Sequence, residues 1–387
     1  IKNKMEKTQA LDSFDKYFGS IDDPRKSRGR MHKLRDIMII GILSVICGAD
    51  DFTEMEEFGK SKESFLKNYL KLKHGTPSHD TFGRVFSIIN PEEFRNCFIA
   101  WVKDLCGDMK GDIVNIDGKA LRHSYDTETD KSMIYMVSAW ANANNLLLGQ
   151  IKVDEKSNEI TAIPKLLDLI DVVGSLITID AMGTQKEIAK KIIAKQADYL
   201  LALKGNQGNL KEEVEEAFDK FGAKQKAIDK GAFSKNTQVD HGRIEERFCY
   251  AIPAKEFLSP NELIKWEKLQ TIVMIEAYVT FKNGKKKGEQ MYQKRFYITN
   301  LEQDASRINW AVQSHWGIET KVHWVLDVAF REDDSRVRKG HADENFAITR
   351  HIALNKLKNE HSCKRGIKAK RKKAGWDMEY LAKVLAA

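Results

Sequence analysis

Only six prolines occur in 387 residues, and the chain has no low-complexity tract or internal repeat. That excludes proline-rich linkers and repeat arrays. Cysteine is equally scarce: the five residues at 47, 97, 106, 249 and 363 are odd in number and lack metal-ligand spacing. A disulfide scaffold is excluded, and the pattern is that of a reducing compartment. Cys47, Cys97 and Cys106 lie in apolar helical stretches and are expected to be buried thiols. The longest apolar run, "IMIIGILSVICGA", is too short to cross a bilayer and reads as a core helix. No signal-peptide pattern is read, and no membrane association is expected.

What is present is length and positive charge. The chain is long enough for two or three domains with cores that need no staples. Lys and Arg number 64 against 56 acids, a net +8. The excess gathers in "KLKNEHSCKRGIKAKRKK" near the C-terminus and "DPRKSRGRMHKLR" near the N-terminus. Such runs are solvated surface, a loose tail, or a footprint for a polyanion such as nucleic acid.

Periodicity divides the chain. Residues 8–106 read as an all-α domain: "KLRDIMIIGILSVICG" is one hydrophobic helix, and "GTPSHDTFGRVFSIIN" offers Ser78 as a cap before a stripe of Phe82, Val85, Phe86 and Ile89. This is an ordinary helical hairpin or the second half of a helix-turn-helix. From Asp112 the pattern is of strands, "DIVNIDGKAL", "SMIYMVSAWAN" and "LLLGQIKVDE", and then helix, strand, helix, strand. Three meandering strands followed by αβαβ imply an α/β fold, a mixed sheet flanked by helices. Residues 107–234 form the first part of this core, and 235–300 read as a β-rich insertion. Residues 301–355 return to helix, and 356–387 form a basic tail.

Two aspartates end apolar strands in this reading, Asp117 after "IVNI" and Asp180 after "ITI". Strand ends are where a rigid element stops and functional loops open, although a lone Asp there also serves as a turn former. In "HWGIETKVHWVLDVAF", Glu319 lies seven residues from both Val312 and Leu326, which puts a carboxylate on the expected core face of a helix. Either that helix has a solvated edge or the glutamate has a job. Three converging carboxylates would repel one another unless cations held them together. Oxygen-only donors suit Mg²⁺ or Mn²⁺, and two such ions about 3.5–4 Å apart serve phosphodiester displacement. Strand order β-β-β-α-β-α-β with acids on the first and fourth strands is what a ribonuclease-H-like core needs.

The sequence resembles the DDE transposases of bacterial insertion sequences, in the H-repeat-associated (Rhs-linked) branch. "DDPRKSRGRMHKL" is similar to that family's N-terminal associated domain, with Lys33 where proline is usual. "VNIDGKALR", "ITIDAMGTQ", "YLLALKGNQ", "HGRIEER" and "SHWGIETKVHWVLDVAFREDDSR" match its successive blocks. The resemblance implies a ribonuclease-H-like fold with Asp117, Asp180 and Glu319 as catalytic acids and metal ligands, and two Mg²⁺ (or Mn²⁺) ions per site. It implies cleavage at transposon ends and transfer of the 3′-OH into target DNA. Terminal inverted repeats and target duplex would be the partners, a homodimer the working form, and the bacterial cytoplasm and nucleoid the location. Related enzymes carry a Tyr-x2-Arg-x3-Glu-x6-Lys signature around the third acid. Here those positions hold Val312, His315, Glu319 and Leu326.

Candidates for the missing phosphate contacts are His315, Lys321 and His323, together with Lys204, Asn206, Gln207, His241 and Arg243. Each has a plainer reading. The two histidines pack beside Trp316 and Trp324, Lys204 to Gln207 cap a helix, and "HGRIEER" forms a cross-strand salt-bridge ladder. Trp316 and Trp324 are assigned to packing. Asp327, Glu332, Asp333 and Asp334 are read as non-ligands. Two rival functions stay open: a metal-dependent nuclease without strand transfer, and a domesticated, non-catalytic DNA-binding protein.

Overall fold

The computed structural model describes residues 12–28, 30–121, 134–153, 158–240, 242–284 and 286–387. In the run 34–47 apolar residues recur with no polar face, so a helix there has to be buried all round. In α1 (Leu34–Cys47), Ile37, Ile40, Leu43 and Ile46 are fully buried, and the helix stops at Gly48, whose φ of 118° is left-handed. Three capped helices surround it. Asp51 accepts from the Glu54 N–H to start α2 (Phe52–Ser61), and Ser78 accepts from the Thr81 N–H to start α3 (His79–Ile88). Asn90 caps α4 (Pro91–Leu105). Phe82, Val85, Phe86 and Ile89 all lie in the core.

Next comes an antiparallel meander of β1 (Ile113–Leu121), β2 (Ile134–Ala141) and β3 (Leu146–Lys152). After α5 (Glu159–Leu169), β4 (Leu176–Ile179) pairs parallel with β1. After α6 (Lys186–Ala194), β5 (Asp198–Leu203) pairs parallel with β4. Helices α7 (Gly208–Asp219) and α8 (Ala223–Asp229) lead to four antiparallel strands, β6 (Phe233–Asp240), β7 (Arg243–Pro253), β8 (Thr271–Phe281) and β9 (Gln290–Thr299). Because β9 pairs with β5, they extend the same sheet, in the order β3-β2-β1-β4-β5-β9-β8-β7-β6. The β-rich block thus continues the core sheet through its hydrogen bonds to β5. Its side-chain alternation let it be read as strands, but which edge those strands join is set by pairing that alternation does not encode.

The two sheet faces bury different residues, as period-2 alternation requires. Ile113, Leu176 and Leu200 pack under α9 (Ala305–Ile318), with Ile308, Ala311 and Val312. Val114, Ile116, Ile177, Ile179 and Leu201 join the larger core on the other face. Helix α9 runs into a π-helical turn, Glu319–His323, and then α10 (Trp324–Phe330).

The long α11 (Ala342–Asn359) packs against α1, so the N-terminal helices share one core with the C-terminal part of the chain. Nor is the basic C-terminal stretch a loose tail. It forms α12 (Ile367–Trp376) and α13 (Met378–Ala386), and its Lys370 and Arg371 are buried. Lys370 donates to the Leu357 carbonyl at 2.7 Å. Arg371 donates to the carbonyls of Val45, Ala49 and Ala329 and pairs with Asp50 at 3.2 Å. The count of Lys and Arg in this stretch suggested solvation, whereas a planar guanidinium can satisfy several helix-end carbonyls at once. Cys47, Cys97 and Cys106 are only half-buried; the buried thiol is Cys249. Among the described residues no helix is long and apolar enough to cross a membrane.

Arg371→Ala should cost about 3–5 kcal/mol, since it removes the partner of Asp50 and the side-chain donor to three carbonyls. Lys368→Ala, an exposed change on the same helix, should stay within about 0.5 kcal/mol. Urea unfolding of the two variants measures the difference.

Candidate active site

The register of the two parallel strands brings the aspartates together. Asn115 is level with Thr178 and Ile116 with Ile179, so one residue further on Asp117 is level with Asp180. Asp180 does end its strand. Asp117 does not: β1 runs on to Leu121, still paired with β2, and only its β4 side is released beyond Ile116. Asn115, Asp117 and Lys119 share the face that α9 covers.

A polar ladder fixes that helix over the strands. Asn142 donates to Asn115, the Asn115 amide donates to Thr178 Oγ1 at 2.6 Å, and Thr178 Oγ1 lies 2.8 Å from His315 Nδ1. The helix backbone comes close enough that a Cβ on Gly317 would sit 2.8 Å from Asn142 Oδ1. Glu319 follows His315 by one turn, about 6 Å of helix, which matches the two-residue step from Thr178 to Asp180. Its charge acts on Asp117. Burial raises the Asp117 carboxyl to about 7, and the charges of Glu319, Glu159 and Asp180 add to the rise against the Gly118 N–H bond. The Asp180 carboxylate accepts from the N–H groups of Met182 at 3.0 Å and Gly183 at 3.3 Å.

Glu319 itself is exposed, contrary to the core face expected from its spacing. The π turn is the reason on its C-terminal side. The Trp324 N–H bonds the Glu319 carbonyl five residues back, inserting one extra residue before Leu326. Ile318, Val322 and Leu326 carry the buried stripe instead.

The histidines do not project toward solvent as phosphate contacts would. His315 is spent on Thr178, and burial lowers it to about 4 even though Asp180 pulls it up. His323 is buried with Nδ1 3.5 Å from Asp117 Oδ2, and burial with the nearby Lys119 charge lowers it to about 4. Asn206 and Gln207 neither cap a helix only nor point free. Both side-chain amides donate to the Ala181 carbonyl, at 2.8 and 3.1 Å, and Gln207 also bonds the Thr184 carbonyl, so they brace the loop behind Asp180. Lys204, Arg243 and Lys321 are exposed, and His241 lies outside the described residues. Trp316 and Trp324, assigned to packing, are 50% and 61% exposed. Arg295 stacks over Trp316 at 5.3 Å, in a groove lined by Arg243, Arg247 and Gln313 that reaches Thr320.

Two participants escaped the sequence reading. Lys119 pairs with Asp327, with Glu332 at 2.9 Å and with Asp333 at 3.5 Å, clamping β1 to α10 and to the turn that follows it. Three of the four acids set aside as non-ligands thus share one structural partner, and the fourth, Asp334, pairs with Arg331 at 3.2 Å. Glu332 is buried, which pushes its carboxyl up, but Lys119, Arg350 and His351 outweigh this and hold it at about 2. Glu159, the first residue of α5, is the other. Its carboxyl is raised by burial and by the Asp180 charge.

An all-oxygen acid set on one sheet face, carrying more negative charge than its surroundings offset, suits a hard divalent cation. Among the described residues no three His, Cys, Asp or Glu side chains are drawn closely enough together to form a ready-made metal site. Residues 108–356 match the family profile described as "Transposase DDE domain", and 16–102 match "DDE_Tnp_1-associated". The chain belongs to the DDE transposase family. It is 41% identical to the "H repeat-associated putative transposase YhhI" of Escherichia coli K12 over 370 residues, 95% of this chain and 96% of that one. It is 40% identical to the "Putative transposase YncI" of Escherichia coli O157:H7 over 378 residues, 98% of this chain and 95% of that one. Among solved structures, a piggyBac transposase synaptic complex with hairpin DNA aligns over 98% of this chain and 80% of its own. The identity is 10% and the TM-score 0.44.

In this family member, Lys119→Met should lower stability by about 3–5 kcal/mol, because Glu332 is left buried without its ammonium. The folded Glu332 carboxyl sits near 2 against an ordinary 4.5. Its contribution is therefore complete above pH 4.5 and is lost as pH falls toward 2. Denaturant melts across that window should have a shallower slope in the variant. An unchanged slope would assign the effect to other groups.

Proposed function

We propose that this chain is an active DDE transposase that nicks duplex DNA at the ends of its element and joins the freed 3′-OH to target DNA. The observation that carries the reading is the level placement of Asp117 and Asp180 on adjacent parallel strands, with the Glu319 charge acting on Asp117. The sheet supports it too, since an antiparallel β1-β2-β3 meander flanked by parallel β4 and β5 is the order of a ribonuclease-H-like core. Asp117, Asp180 and Glu319 would hold two Mg²⁺ ions, with Mn²⁺ as a substitute. The chemistry supplied by such ions when bound is activation of a water or 3′-hydroxyl for in-line attack on phosphorus and relief of charge on the departing oxygen.

The chain's own residues prepare the site. The Met182 and Gly183 N–H groups orient Asp180, and Asn206 and Gln207 brace its loop. The His315–Thr178 bond and the Lys119 clamp hold the Glu319 helix against β1. Duplex DNA, terminal inverted repeats and target alike, would lie along the groove of Arg243, Arg295 and Trp316, with Lys204 and Lys321 as further phosphate contacts and a homodimer pairing the two ends.

Asp117→Asn, Asp180→Asn and Glu319→Gln should each lower Mg²⁺-dependent nicking of an end-bearing duplex by at least about 10²-fold, the scale for removing a charge-stabilising group. Full nicking by any of the three would sink the assignment. A pre-cleaved end incubated with plasmid should give joined product; cleavage without joining would leave a nuclease. Arg243→Ala and Arg295→Ala should each weaken DNA binding and reduce the slope of log affinity against log salt by about 1.

A further inference from the structure

Glu159 belongs to none of the motif blocks in the sequence. Asn158 fixes the start of α5 by accepting from the Ile160 N–H at 3.1 Å, which sets Glu159 as the first helical residue. The carboxylate then lies against Gly118, the residue after Asp117, so by strand alternation it approaches from the sheet face opposite the one α9 covers, beside the point where β1 and β4 part. A Cβ added at Gly118 would meet Glu159 Oε1 at 2.0 Å and its Cδ at 2.5 Å. The glycine leaves a cradle that the carboxylate fills. Pairing of β1 with β4 has already ended at Ile116 and Ile179, and the Glu159 charge bears on both Asp117 and Asp180. A fourth negative charge in a cluster of carboxylates destabilises the cluster unless a cation is to be held there.

We infer that Glu159 is a fourth carboxylate of the Asp117–Asp180–Glu319 site, contributing to cation affinity directly or through a water, and that Gly118 is the residue that admits it. The inference rests on the proposed metal site and adds to it a residue outside the three-acid motif. A plain helix-start acid would favour the α5 dipole and nothing more. The two roles separate by experiment, because the dipole role moves thermal stability and the metal role moves ion affinity.

The test is calorimetric titration of the purified full-length chain with MnCl₂, with a thermal melt of each variant as the control for folding. Glu159→Gln should weaken Mn²⁺ binding about 10-fold, the scale for groups that support metal ligands. Glu159→Asp should recover part of that loss. Gly118→Ala should reproduce the Glu159→Gln loss with the carboxylate still in the chain, and combining the two should add little, since both remove one interaction. Asp117→Asn is the reference. If it weakens Mn²⁺ binding while Glu159→Gln stays within about 2-fold of the parent, the fourth-acid assignment is overturned and the three-acid site stands. If Asp117→Asn leaves Mn²⁺ binding unchanged, the metal site and the inference fall together.

Discussion

Lys119 reaches across 208 and 213 residues of sequence to Asp327 and Glu332, and the geometry of the site depends on that reach. Its strand carries Asp117 two residues earlier, and its partners flank the end of the helix that carries Glu319. A buried ion pair of this kind adds little net stability over apolar packing, because desolvation consumes most of the Coulomb gain. What it supplies is register. An apolar patch would tolerate the helix sliding along the sheet, whereas an ammonium bonded to carboxylates holds at one setting. The opposite end of the same helix is fixed by different chemistry, the Asn142–Asn115–Thr178–His315 ladder. Glu319 lies between these two fastenings.

That arrangement accounts for the departures around the third acid. In relatives with the fuller signature, the positions of His315 and Leu326 hold Arg and Lys; here both are turned to packing. Leu326 is 2% exposed, and His315 bonds a sheet threonine. A phosphate contact from His315 would require breaking its bond to Thr178, and the Leu326 side chain has no polar group to offer. Exposed cations beside the helix come from Arg243 and Arg295 on the strands of the groove and from Lys321 within the π turn.

Much of this was legible in the sequence. Apolar runs of strand length followed by Asp pointed to Asp117 and Asp180, and the structure does put them on neighbouring parallel strands, although β1 does not stop at the first. The helical periods of 34–47 and 79–89 translated directly into buried faces. What the sequence hid has three physical causes. A π turn leaves no mark in residue type, so a seven-residue spacing put Glu319 on a face from which one inserted residue separates Leu326. Charge counts do not distinguish a solvated lysine from one that satisfies buried carbonyls, so Arg371 and Lys370 looked like tail residues. Partners far apart in the chain were also invisible, which is why Lys119 and Glu159 were missed, while Trp316 and Trp324 were assigned to packing on a helix whose outer face they occupy.

The continuous sheet bears on how the β-rich block could serve the site. Strands β6–β9 belong to the same hydrogen-bonded array as β1 and β4, joined through the β5–β9 pairing. A groove wall built on β7 and β9 is therefore fixed relative to Asp117 and Asp180 by backbone hydrogen bonds. Helix α9 closes that groove with Gln313 and Trp316, and its next turn carries Glu319. Arg295 and Trp316, stacked on each other, therefore stand on the same framework as the acids, so in the proposed function a polyanion in the groove would be set against them by the sheet's own register. A tethered module would have to reach that setting by a hinge motion and lose entropy on each closure. Extending the sheet removes this step, and the cost is met in folding, through strand pairings between residues about 100 apart such as Leu200 with Thr299.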